Sequence, residues 1–176
     1  MKSRGYRFVI STTMKLTTLL TTVAALTLSL SAHAESTVTV TGVHNCCKKC
    51  DNGILDAVKK VDGASATTNK STVTITAKDD ATAKKAVESL LAAGYAGKGA
   101  EPAAITDAKV KTATVSGVHL CCGKCVTAAE KAVLSVSGVT KHSATKGAES
   151  FTVEGDFSTQ ALASALNKAG LNGVIK

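Results

Sequence analysis

Residues 42–50 read GVHNCCKKC, and residues 117–125 read GVHLCCGKC. All six cysteines of the chain lie in these two phrases. Superposing Cys46 on Cys121 sets an offset of 75 residues (121 − 46). Under it Gly42 falls on Gly117, Val43 on Val118, His44 on His119, Cys47 on Cys122, Lys49 on Lys124 and Cys50 on Cys125. Further on, Ala57-Val58 meets Ala132-Val133, Val61 meets Val136 and Gly63 meets Gly138. Ala93-Gly94 answers Ala169-Gly170 with one residue of slippage. A register held over so much chain reads as an internal repeat. The matches crowd the cysteine phrase and the apolar face behind it.

Working outward, each copy predicts the same elements. Thr37–Thr41 alternates hydroxyl and apolar residues, the period of a half-buried strand. After the cysteines, Ile54, Leu55, Val58 and Val61 recur at helical spacing, and Gly63 closes that helix. Two strands follow, Ala64–Asn69 and Thr72–Ala77. A helix over Asp80–Ala93 is capped by Asp79 or Asp80, and an extended piece over Tyr95–Ala100 completes the unit. The second copy predicts Thr112–Gly117, Val126–Val136, Val139–Thr145, Glu149–Glu154, Ser158–Ala169 and Leu171–Lys176. The expected fold is α+β: two tandem ferredoxin-like βαββαβ sandwiches, residues 35–100 and 110–176, joined by a linker over 101–109 that holds the only proline, Pro102.

The beginning of the chain carries a different pattern. From Leu16 the run LTTLLTTVAALTLSLSAHA holds no charge and ends on the small-x-small triplet Ala32-His33-Ala34. Residues 1–34 read as a secretory signal peptide cleaved after Ala34, with Met14 the more natural start. Its threonines make it a poor membrane span, which needs ~20 predominantly apolar residues. The expected location is periplasmic or secreted, with membrane contact only through an uncleaved leader.

Without the leader, 17 Lys and Arg face 13 Asp and Glu, a net charge of +4. With no Trp, three Phe and two Tyr, the chain lacks the stacking aromatics of a nucleic-acid reader, and no nucleic-acid partner is expected. No Ser/His/Asp constellation or phosphate-cradling glycine loop points to an enzyme.

The cysteine phrase is where the chemistry lies. Cys47 and Cys50, and Cys122 and Cys125, are C-x-x-C pairs at a strand–helix junction, where helix N-terminal amides favour thiolate over thiol. Lys48, Lys49 and Lys124 act in the same direction or are solvated loop residues. Cys46 and Cys121 add a third sulfur per copy, and His44 and His119 stand as ligands or near-site gates. Three thiolates, or three and an imidazole, suit a closed Zn²⁺ site, and thiolates equally suit Cu(I). No carboxylate lies in the phrase, which disfavours Mg²⁺ and Ca²⁺. One ion per copy is expected, although the short linker also allows an ion to bridge the copies. The competing reading is thiol–disulfide redox chemistry at the C-x-x-C pairs. Three cysteines per copy cannot all pair within that copy, and a bound soft metal would protect thiols in an oxidising compartment.

With cysteines in the first loop of a βαββαβ unit, residues 36–176 resemble the heavy-metal-associated domain family, which includes copper chaperones, N-terminal domains of metal-pumping ATPases and the periplasmic mercury-binding protein. The resemblance implies that Cys47, Cys50, Cys122 and Cys125 bind Cu(I), Zn²⁺ or a toxic heavy metal and hand it on by thiolate exchange, with a metal-transporting or metal-accepting protein as partner. The chain departs from that family's G-M-x-C-x-x-C loop. Val43 and Val118 replace the methionine, the C-x-x-C lies two residues further from the glycine, and the insertion supplies the extra cysteine and histidine. More ligands imply more closed coordination, so sequestration, storage and sensing stand beside delivery.

Overall fold

Hydrophobic alternation decides the sheets. The computed structural model describes residues 34–176, so the leader reading falls outside the described residues. In the first half, β1 (Ser36–Thr41), β2 (Ala64–Asn69) and β3 (Thr72–Ala77) form an antiparallel sheet of order β1-β3-β2. Val40 lies opposite Val73 and Val38 opposite Ile75, so one face collects the apolar side chains and the other the threonines. Helices α1 (Lys48–Lys59) and α2 (Asp80–Ala92) cover the apolar face with Ile54, Val58, Ala86 and Leu90. Asp79 caps α2, its carboxylate accepting from the Thr82 amide at 2.7 Å.

The second half repeats this order with β4 (Lys109–Ser116), α3 (Gly123–Leu134), β5 (Val139–His142), β6 (Ser150–Ser158), α4 (Thr159–Lys168) and β7 (Val174–Ile175). Its sheet runs β5-β6-β4-β7, all antiparallel, with Val115, Phe151, Val153 and Phe157 buried beneath Val133, Leu162 and Leu166. This is the βαββαβ connectivity of a ferredoxin-like sandwich.

Three expectations are corrected. Tyr95–Ala100 forms no strand: it makes isolated bridges, Tyr95 with Leu171 and Lys98 with Thr41, and folds on itself between Gly97 and Ala100. Gly97 and Gly99 explain this. A Cβ on either would lie 2.5–2.6 Å from a β1 carbonyl oxygen, so the chain comes too close to run beside β1 as an ordinary strand. The last strand of the second half shrinks from Leu171–Lys176 to Val174–Ile175. Helix α3 starts at Gly123 rather than Val126, and in both halves the C-x-x-C pair sits at the junction, Cys47 and Cys122 as N-caps and Cys50 and Cys125 in the first turns.

Residues 34–176 pack as one unit, and two glycines set the contact between its halves. Gly94 and Gly170 follow α2 and α4 with φ of 88° and 76°. A Cβ on Gly94 would lie 2.4 Å from the Gly117 carbonyl oxygen, and one on Gly170 would lie 2.3 Å from that of Gly42. Each half therefore seats the end of its second helix on the other half's cysteine loop. The His44 amide donates to the Gly170 carbonyl at 3.1 Å, and the Asn172 amide to the Gly94 carbonyl at 2.9 Å. Between them Tyr95 and Leu171, which correspond in the repeat register, form an antiparallel bridge. The linker's end docks on α4: Asp107 accepts from the Ser158 hydroxyl at 2.6 Å and the Gln160 amide at 3.2 Å.

Candidate metal centre

Because each helix end rests on the other half's loop, the two cysteine loops face each other. The six sulfurs gather into one cluster. Within the first half, Cys50 Sγ lies 3.7 Å from both Cys46 and Cys47. Within the second, Cys125 lies 3.7 Å from Cys121 and 3.6 Å from Cys122. Across the halves, Cys46 is 3.6 Å from Cys122 and 3.7 Å from Cys125, while Cys47 is 3.8 Å from Cys121 and 4.0 Å from Cys122. Cys50 approaches Cys121 at 3.5 Å and Cys125 at 3.6 Å. The vicinal pairs, Cys46–Cys47 and Cys121–Cys122, fall within 4.8 Å. All six cysteines are free thiols, with separations far beyond the ~2.05 Å of a disulfide bond.

These neighbours define an octahedron of sulfur. Three pairs lie opposite one another: Cys46 with Cys121, Cys47 with Cys125 and Cys50 with Cys122. The pairing survives exchange of the two halves, as expected of two equivalent loops meeting about a local twofold. The vicinal sulfurs share the cluster because the backbone turns at Cys47, the residue that caps α1.

The surroundings favour anionic sulfur that cannot be anionic six times over. Cys50 and Cys125 are fully buried, and the other four are half-buried. The N-termini of α1 and α3 both meet the cluster, and exposed Lys48, Lys49 and Lys124 stand beside it. The neighbouring Cys125 amide pulls the Cys122 thiol down to about 6. Burial pushes Cys46 and Cys121 up to about 12, each reinforced by adjacent sulfurs, and it pushes Cys125 up as well. Cys50 feels the same burial, but the Cys46 backbone and surrounding thiols reverse it and its pKa falls. A few thiolates thus hold their neighbours as thiols. Only added positive charge would let all six ionise.

The histidines part company. His44 offers a ring nitrogen within 4.8 Å of the Cys46 and Cys125 sulfurs. His119 belongs to no such group among the described residues; its ring stacks on Tyr95 at 4.7 Å. In both rings Nε2 is buried without a hydrogen-bond partner, and burial lowers both pKa values, keeping the imidazoles neutral. His142 lies in β5, away from the sulfurs, with Nε2 3.7 Å from the Glu130 carboxylate.

Some supporting residues carried no motif. Tyr95 is fully buried and donates its hydroxyl to the Cys50 carbonyl at 3.1 Å. Asp51 accepts from Asn45 Nδ2 at 3.3 Å and from the Thr68 hydroxyl, tying the first loop to β2. The one clue in the sequence was difference: Tyr95, Asn45 and Asp51 stand where the second copy has Leu171, Leu120 and Val126.

No family model matches this chain, and no curated protein matches it. Among solved structures it is similar to the N-terminal soluble domains of Bacillus subtilis CopA, at 19% identity and a TM-score of 0.32, covering 82% of this chain and 95% of that one. The water-soluble region of the P-type ATPase CopA from the same organism gives 20% identity and a TM-score of 0.32, covering 82% and 93%.

Proposed function

We propose that this protein binds soft metal ions, Cu(I) foremost, at a single thiolate centre built by both halves, and that it does so outside the cytoplasm. The observation that carries the reading is the convergence of six free sulfurs, three from each half, at neighbour distances of 3.5–4.0 Å. Thiolate donors select soft ions. On this reading the ions share one centre, where the spacing within each phrase led to one ion per copy.

Burial favours holding over rapid exchange. Cys50 and Cys125 offer no exposed edge to an acceptor, so sequestration or storage ranks ahead of delivery. Delivery to a metal-accepting protein would have to begin at the half-exposed sulfurs, with Lys48, Lys49 and Lys124 as the docking charges. The extracytoplasmic location rests on the leader reading of residues 1–34. Among the described residues no helix is long and apolar enough to cross a membrane. Two copies of one ancestral unit, one per half, remain the simplest account of the repeat register.

One geometry favours a second reading. The C-x-x-C sulfurs lie 3.7 and 3.6 Å apart within each half, close enough to oxidise to disulfides after a small movement. The test is to reduce the chain anaerobically, offer Cu(I), Zn²⁺ or Ca²⁺ in turn, desalt it, and count retained metal and reactive thiols. Retention of a soft ion with all six thiols masked, and no retention of Ca²⁺, is expected. A chain that stays metal-free, and whose C-x-x-C pairs form disulfides when oxidised glutathione is added with metal still on offer, would replace this reading with the redox one.

A further inference from the structure

We propose that the six sulfurs hold Cu(I) as a cluster of four ions, each bound by three thiolates and each thiolate bridging two ions. This deepens the reading above and rests on it.

The octahedron decides between the alternatives. A single ion at its centre would lie about 2.6 Å from every sulfur for edges near 3.7 Å, beyond the ~2.3 Å of a metal–thiolate bond. A tetrahedral four-sulfur site, the arrangement Zn²⁺ prefers, needs four mutually adjacent sulfurs. Any four vertices of an octahedron include an opposite pair, so this cluster offers no such set. What it does offer is triangular faces. Cys46, Cys50 and Cys125 are separated by 3.7, 3.7 and 3.6 Å. The centre of that triangle lies about 2.1 Å from each sulfur, so an ion bonded at ~2.3 Å sits just outside the face.

Faces that share an edge would bring two cations together, so occupancy alternates. Cys46–Cys47–Cys122, Cys47–Cys50–Cys121, Cys121–Cys122–Cys125 and Cys46–Cys50–Cys125 form an alternating set. Each sulfur then serves two faces and none is left over. Loading four Cu(I) ions makes all six sulfurs bridging thiolates and releases one proton for each cysteine still held as a thiol, without any change of oxidation state. Six negative charges against four positive leave two negative, facing two helix N-termini and the nearby lysines. Because every ion shares its sulfurs with its neighbours, the first ion organises the sites for the rest, and filling is cooperative.

The test is anaerobic titration of the reduced chain with Cu(I), followed by native mass spectrometry and copper X-ray absorption. The expected result is a direct passage from metal-free chain to a four-copper form. One- to three-copper forms should be scarce, and the copper should be three-coordinate with a copper–copper scattering vector. One or two ions bound independently would overturn the cluster and leave soft-metal binding standing. No retained copper would overturn both.

Two double variants sharpen this, each removing one cysteine per half. Every face contains either Cys46 or Cys121, so Cys46→Ser with Cys121→Ser destroys all the three-sulfur sites. Cys46→Ser with Cys122→Ser removes neighbours and leaves two intact faces around Cys50 and Cys121. The cluster therefore predicts that the first variant loses three-coordinate copper and the second keeps some. Independent C-x-x-C sites predict the reverse order, because the first variant leaves both pairs whole. The wild-type titration decides the question even where a variant fails to fold.

Discussion

The two cysteine loops place their sulfurs alike and are held by opposite means. The first loop is pinned by polarity: Asn45 and the Thr68 hydroxyl both reach the Asp51 carboxylate. The second is pinned by burial. Leu120, at the position of Asn45, is 3% exposed, and its carbonyl accepts from the Gly147 amide at 2.8 Å. Behind the loops, Tyr95 spans Cys50 and His119, whereas its counterpart Leu171 offers packing alone. The sheets differ too, three strands against four. Sulfur placement is common to the halves, and the means of support differs.

The contact between halves is the place to break both loops at once. Gly170→Ala forces a Cβ to within 2.4 Å of the His44 amide nitrogen, at a φ of 76°. Strain and overpacking together should cost roughly 2–5 kcal/mol in urea unfolding, and soft-metal retention should fall with it. Gly94→Ala should do the same from the other side. If either leaves both stability and retention unchanged, the two glycines do not set the docking of the halves.

Leu120→Ala should come next, costing about 2–4 kcal/mol, because a buried leucine leaves a cavity beneath the second loop. Asn45→Ala at the equivalent position removes one half-exposed hydrogen bond and should cost no more than about 1 kcal/mol. Equal losses would mean that the two loops are supported in the same way after all. Tyr95→Phe deletes the donor to the Cys50 carbonyl and should cost about 1 kcal/mol, with the stacking on His119 retained.

The smallest effect is one of pH. Hydrogen bonds from Thr68 and Asn45, with Lys48 nearby, hold the Asp51 carboxyl below its ordinary value of 3.8 despite the opposing effect of burial. A lowered folded-state pKa gives stability that is fully present above the unfolded value. That stability is lost as the pH falls through the folded value. The stability gap between wild type and Asp51→Asn should therefore be constant near neutrality and close below about pH 4. A gap independent of pH would show that Asp51 acts through shape alone.

Much of the fold was legible along the chain. Ala64–Asn69 and Thr72–Ala77 are the two strands read from the sequence, and Asp79 and Gly94 bound α2 as helix start and stop signals require. Where the reading failed, a local preference met a tertiary contact. Gly97 and Gly99 cannot be distinguished from strand glycines until β1 carbonyls are seen against them. Tyr95, Asn45 and Asp51 matter through partners 6 to 45 residues away, and no periodicity reports such partners.

The sequence by itself named the candidate donors: cysteines without carboxylates, repeated at helix starts, are the ligand type that soft ions favour. Only the tertiary structure decided that the donors form one centre. Two phrases 75 residues apart meet because Gly94 and Gly170 admit each other's loops, and the spacing within a phrase carries no information about that docking. Coordination depends on distances between sulfurs, and the six that run across the halves, at 3.5–4.0 Å, are set by that docking alone.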